Sequence, residues 1–207
     1  IGAPGVSNYA GAVYVYAITT DGVISNPPIA TLKSPEDGYT NSDIFGEYIS
    51  IISDSTHIYV CSSSINYEPQ SVNNNDANFG IVITTKIDKS TYATTQVGAN
   101  ITNTITAYKE GHIISLVFRD DNTLRLATYG ETTPKLGVYD ISKDASNTAS
   151  WVLVHNKFSI GSVRNMSLNR GTSDVSGGDT LVIATNNAAY IYDYSQANID
   201  YFSGKSE

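Results

Sequence analysis

Four short segments of the chain are versions of one strand: Val13-Tyr14-Val15-Tyr16, Ile81-Val82-Ile83-Thr84, Leu136-Gly137-Val138-Tyr139 and Tyr190-Ile191-Tyr192. Their period-2 alternation of β-branched and aromatic residues belongs to strands, and no long segment keeps a helical period. Three of them follow a second apolar strand ending in small residues, at His57–Ser62, Leu124–Thr128 and Leu181–Thr185. Weaker strands come before those, at Tyr48–Ile52, Ile113–Val117 and Asn165–Leu168. A more polar fourth strand closes each unit, at Ile29–Leu32, Tyr92–Thr95, Trp151–Val154 and Ile199–Phe202.

The units recur every ~50–65 residues, near the upper end of the spacing of four-stranded propeller blades. Turn chemistry agrees: Ser53-Asp54-Ser55-Thr56 and Asp120-Asp121-Asn122-Thr123 are tight polar turns between a unit's first two strands. Strands this short cannot bury both faces alone, so the units must stack to make a core. The expected fold is therefore an all-β propeller of four-stranded antiparallel blades. A single segment over 1–207 would hold about three full blades plus a half.

The opening Ile1-Gly2-Ala3-Pro4-Gly5, followed by Gly11-Ala12-Val13-Tyr14-Val15-Tyr16, resembles the second half of an FG-GAP repeat. That repeat is the blade unit of integrin α-subunit propellers. Phe45-Gly46-Glu47-Tyr48-Ile49 resembles its Phe-Gly start, and Asn78-Phe79-Gly80-Ile81-Val82 falls where its Gly-Ala-Val strand would. Later units depart, with Leu126-Ala127-Thr128 and Ile183-Ala184-Thr185 in place of the Gly-Ala-Pro motif. In that register Gly2-Ala3-Pro4 ends a blade's second strand, so the chain is expected to start inside a blade. An upstream segment, the last blade or a neighbouring chain would then supply the rest.

Composition narrows the function classes. Charged residues are only 15%, and the 12 basic residues against 20 acidic ones give a net charge of -8. A phosphate backbone needs Lys and Arg to displace its counterions, so no nucleic-acid partner is expected. No apolar run approaches the ~20 residues of a membrane helix, and no membrane insertion is expected. The single cysteine, Cys61, lies in an apolar run and reads as a small buried strand residue.

Integrin-type repeats often carry a calcium loop with carboxylates at alternate positions. The nearest approach is Asp174-Val175-Ser176-Gly177-Gly178-Asp179, which keeps an Asp at each end but lacks the central carboxylates. It reads as a plain polar loop, so neither metal nor cofactor is expected. His57, His112 and His155 lie in different repeats and at no zinc-ligand spacing. No Gly-x-Ser-x-Gly elbow or phosphate loop occurs, and no catalytic residues are assigned. The 15 tyrosines are unusual, and several alternate along strands, as in Tyr190, Tyr192 and Tyr194. They suit packing between sheets, or a contact surface of large amphipathic area.

Two long polar connectors are the candidate ligand-binding loops. One carries Asn66, Tyr67, Asn73, Asn74 and Asn75, the other Tyr39; amide and ring suit contact with a sugar or a protein. Asn100-Ile101-Thr102 and Asn165-Met166-Ser167 are glycosylation sequons, relevant only on a secretory route. The expected function is a non-catalytic propeller module of an extracellular, cell-surface or virion-surface protein. It would serve adhesion, receptor recognition or structural assembly, with a protein or glycan partner or neighbouring subunits completing the sheet edge. The rival expectation is a lectin-like or glycan-processing propeller.

Overall fold

The structure is a computed structural model. It describes residues 1–6, 10–34, 44–67, 80–102, 111–130, 135–158, 162–170, 179–186 and 188–194. These form an all-β arrangement of four antiparallel sheets. The first holds β1 (Gly2–Ala3), β2 (Ala12–Val15) and β3 (Ala30–Lys33). The second holds β4 (Ile49–Ser53), β5 (His57–Ser64), β6 (Ile81–Asp88) and β7 (Thr94–Gln96), with β8 (Ile101–Thr102) also on β6. The third holds β9 (Ile113–Phe118), β10 (Thr123–Gly130), β11 (Lys135–Ser142) and β12 (Val152–Phe158). The fourth holds β13 (Val163–Asn169), β14 (Asp179–Thr185) and β15 (Ala189–Tyr194). Within each sheet, β8 apart, consecutive strands pair with one another, so the sheets are meanders.

Local chemistry sets the hairpins. Between β4 and β5, Asp54 Oδ1 accepts the backbone N–H groups of Thr56 at 2.8 Å and His57 at 2.7 Å. Between β9 and β10, Asp120 Oδ1 accepts from Asn122 N at 2.9 Å. A short carboxylate that closes its own turn is why Asp stands at both places. The polar strand expected from Tyr92 begins two residues later, at Thr94. Tyr92 instead occupies a left-handed turn at φ 59°, its N–H bonded to Asp88 O at 2.8 Å. The segment 199–202 lies outside the described residues.

Three apolar cores lie between successive sheets. Val13, Val15 and Leu32 of the first meet Val60, Ile83 and Ile87 of the second. Tyr59, Cys61 and Val82 of the second meet Ile114, Leu116 and Leu126 of the third. Ile113, Tyr129 and Val138 of the third meet Met166, Leu181 and Ile183 of the fourth. Strands β5 and β6 of the second sheet and β9 and β10 of the third are thus largely buried on both faces, whereas β4 at the edge of the second sheet is not.

A repeated polar bond fixes the stacking. The N–H of Leu116 on β9 donates to Ser50 Oγ on β4 at 3.0 Å. In the same way Leu168 N on β13 donates to Ser115 Oγ on β9 at 2.9 Å. Each bond joins a serine on one sheet's first full strand to the residue after the equivalent serine on the next. It satisfies an N–H that the strand's own pairing leaves pointing off the edge.

Charge joins the last two sheets. Arg125 on β10 is 3% exposed. Its Nε and Nη2 donate to the two oxygens of Asp140, at 2.7 and 2.8 Å, and its Nη1 to Asp179 Oδ2 at 2.8 Å. Burial disfavours the guanidinium charge, but the two carboxylates outweigh it and raise the pKa above the ordinary arginine value.

Candidate functional site

An apolar cleft lies between the first two sheets. Its wider part measures ≈ 640 Å³ and is bounded by Tyr16, Ile18, Ile51, Ile52, Lys89 and Tyr92. A contiguous narrower part of ≈ 250 Å³ reaches Ile1, Tyr14, Ile24 and Ile49.

The cleft follows from the strand complement of the first sheet. On β2, Val13 and Val15 point into the core shared with the second sheet. The first sheet ends at β1, a two-residue strand, and nothing described pairs with β1 on its far edge. Alongside, β4 presents Ile49 and Ile51 to solvent, an unusual state for isoleucines in the midst of a sheet stack. The two backbones come very close where they do meet. Gly2 lies against the Gly46 carbonyl, with no room for a Cβ, and Gly11 bridges Phe45. Glycine at position 2 is thus a requirement of packing.

The lining offers apolar area, tyrosine rings and one cation. Lys89 Nζ donates to the Asp54 carbonyl, which holds the ammonium at the rim. Asp54 itself is committed to structure: besides the turn it receives Tyr59 Oη at 3.4 Å and Lys143 Nζ at 3.4 Å on Oδ2. Burial would raise its pKa, but the hydrogen bonds from His57, Thr56 and Lys143 pull it well below the ordinary carboxylate value. A site of this character suits an apolar segment or a flat ring, held by area with a few polar contacts at the edge.

Of the candidate ligand-binding residues singled out from sequence, only Asn66 and Tyr67 are described, and neither lines the cleft. Tyr39, Asn73, Asn74 and Asn75 fall outside the described residues. Asn66 is half-buried in the turn after β5, and Tyr67 is 7% exposed, packed in the core shared by the first two sheets. A loop tyrosine and a core tyrosine look alike in sequence; this one belongs to the core shared by the first two sheets. Of the candidate calcium pair, Asp174 lies outside the described residues, and Asp179 gives an oxygen to Arg125. Among the described residues no group of three or more His, Cys, Asp or Glu side chains is placed to hold a metal.

Tyr14 and Tyr16 do line the cleft, and Tyr190 and Tyr192 stack with centroids 6.4 Å apart on the fourth sheet. Sequence reasoning missed the exposed isoleucines, because Tyr48–Ile52 reads like the equivalent strands Ile113–Val117 and Asn165–Leu168. The repeated triplets Ile49-Ser50-Ile51, Ile114-Ser115-Leu116 and Met166-Ser167-Leu168 were the available signal. No helix among the described residues is long and apolar enough to cross a membrane. Scanned against protein-family models and searched against curated proteins, the chain matches none.

Proposed function

We propose that the chain is a non-catalytic β-propeller module of an extracellular or virion-surface protein, acting in adhesion, receptor recognition or assembly. One observation carries this reading: four meander sheets stack face to face in chain order, each junction having its own apolar core. The serine-to-amide bond recurs at two successive junctions, which supports a repeated rotation from sheet to sheet. Such a stack is a rigid scaffold whose variable parts are its connectors and its uncovered faces, and those are surfaces for partners. The resemblance to the integrin-type blade supports the same class of role by analogy of fold alone.

The partner is a protein or a glycan, met at the long connectors carrying Tyr39 and Asn73–Asn75 or at the cleft. A glycan array run beside hydrolysis assays on the same sugars tests the reading. Turnover of any sugar would overturn the non-catalytic role, and saturable binding without turnover would make the partner a glycan. Small-angle scattering of the folded chain tests the scaffold, because a linear stack and a radial one give different distance distributions.

A further inference from the structure

We infer that the cleft between the first two sheets is an acceptor site for one extended strand carrying apolar, Ser and apolar residues at alternate positions. The inference rests on reading the four sheets as successive blades, and the repeat within this chain identifies the occupant.

The residues flanking the serine of each triplet can be compared directly. On β9 they are Ile114 and Leu116, 6% and 2% exposed, covered by the second sheet. On β13 they are Met166 and Leu168, 6% and 3% exposed, covered by the third. On β4 they are Ile49 and Ile51, 39% and 58% exposed, facing the cleft. Equivalent side chains are dry where a preceding sheet contributes a strand like β4 or β9, and wet where the first sheet has none among the described residues.

The backbone gives the same answer. Leu116 and Leu168 each donate their N–H to a serine hydroxyl of the preceding sheet. Their counterpart on β4 is Ile51. In the β4–β5 pairing Ile49 lies opposite Ser62, while Tyr48 O accepts from Ser63 N at 3.1 Å. Antiparallel bonds alternate along a strand, so the Ile51 N–H points off the edge and into the cleft. A serine on the incoming strand supplies the acceptor that Ser50 gives Leu116.

On the other side of the cleft, β1 offers a pairing edge. Ile1 and Tyr14 exchange N–H···O bonds of 2.8 and 2.9 Å. By the same alternation, Gly2 directs its N–H and C=O away from β2. A strand added there pairs with β1 through its main chain and covers Ile49 and Ile51 with its side chains. Backbone pairing would give affinity and the alternating side chains selectivity. By the example of β9, the residues two before and two after the serine are apolar, as Ile113 and Val117 are around Ser115.

The probe is a fluorescein-labelled peptide of residues 111–119 with Ile114→Lys and Leu116→Lys for solubility, titrated into the full chain. Expected are saturable binding by anisotropy and slower exchange of the Ile51 amide in the complex. Covering an exposed isoleucine accounts for about tenfold in affinity, so Ile51→Glu weakens binding by at least about that factor. Ile49→Glu acts in the same direction, and both sites are open enough for the free chain to keep its circular dichroism. Replacing the peptide's serine by valine weakens binding several-fold.

Absence of saturation up to about 1 mM peptide overturns the inference. So does binding that ignores Ile51→Glu, or an unchanged Ile51 amide. A dimer that Ile51→Glu dissociates would put a second copy in the cleft and overturn the assignment to such a strand. Any of these with radial scattering intact removes this inference alone, whereas non-radial scattering removes the blade reading beneath it.

Discussion

Arg125→Met would test how the third and fourth sheets are held together. The substitution removes three charge-assisted hydrogen bonds and leaves Asp140 and Asp179, 8% and 5% exposed, facing each other without the cation. Arg119 still reaches Asp140 at 3.1 Å, but its side chain is 43% exposed and water shares its charge. Breaking a buried ion pair from one side costs about 3–5 kcal/mol, because the remaining charge stays desolvated. In a chain of this size that lowers Tm by about 6–20 °C. Urea titrations followed by circular dichroism supply the free energy, and thermal scans the Tm. Adding Asp140→Leu and Asp179→Leu to Arg125→Met should recover most of the loss, since an apolar cluster of similar volume carries no uncompensated charge. A loss below about 1 kcal/mol in the single variant would refute the reasoning, as would a triple variant weaker than the single.

Other outcomes follow from the same geometry. Ser115→Ala leaves the Leu168 N–H without its acceptor in a buried junction, so stability should fall by about 1–3 kcal/mol and that amide should exchange faster. Asp54 has a folded pKa below its ordinary 3.8, so its stabilisation is complete above that value and is lost as pH falls below it. Asp54→Asn keeps the turn acceptor without the charge; its Tm deficit at pH 7 should shrink steadily in acid, and a deficit constant down to about pH 2 would refute this. Burial pushes the Cys61 thiol up to about 12, so a disulfide reagent at about pH 8 should label it only after denaturation.

Much of the fold was legible from residues alone. Alternation in Val13–Tyr16 and Ile81–Thr84 marks strands because a pleat sends successive side chains to opposite faces. Asp54 and Asp120 mark hairpins because a short carboxylate can close its own turn. These signals are local, and β2, β5, β6, β9, β10, β11 and β14 stand where they place them. The two-residue β8 was not legible, since its partner Ile81–Val82 is remote in sequence and two residues carry no period.

The candidate site was the least legible part. Tyr67 looked like a contact residue in a polar loop, yet it is buried in the core that the first two sheets share, which only the approach of the first sheet decides. Tyr48–Ile52 read as one of three equivalent weaker strands, yet its Ile51 is exposed because no described strand of the first sheet lies over it. Asp179 read as the end of a plain polar loop, whereas it accepts a buried hydrogen bond from Arg125, 54 residues earlier in the chain. Sequence by itself determined the strands, their turns and their repetition, because those depend on neighbours a few residues apart. Tertiary structure alone decided which strand faces which. Burial, charge pairing and the open cleft are sums over residues far apart in the chain, and no local pattern encodes them.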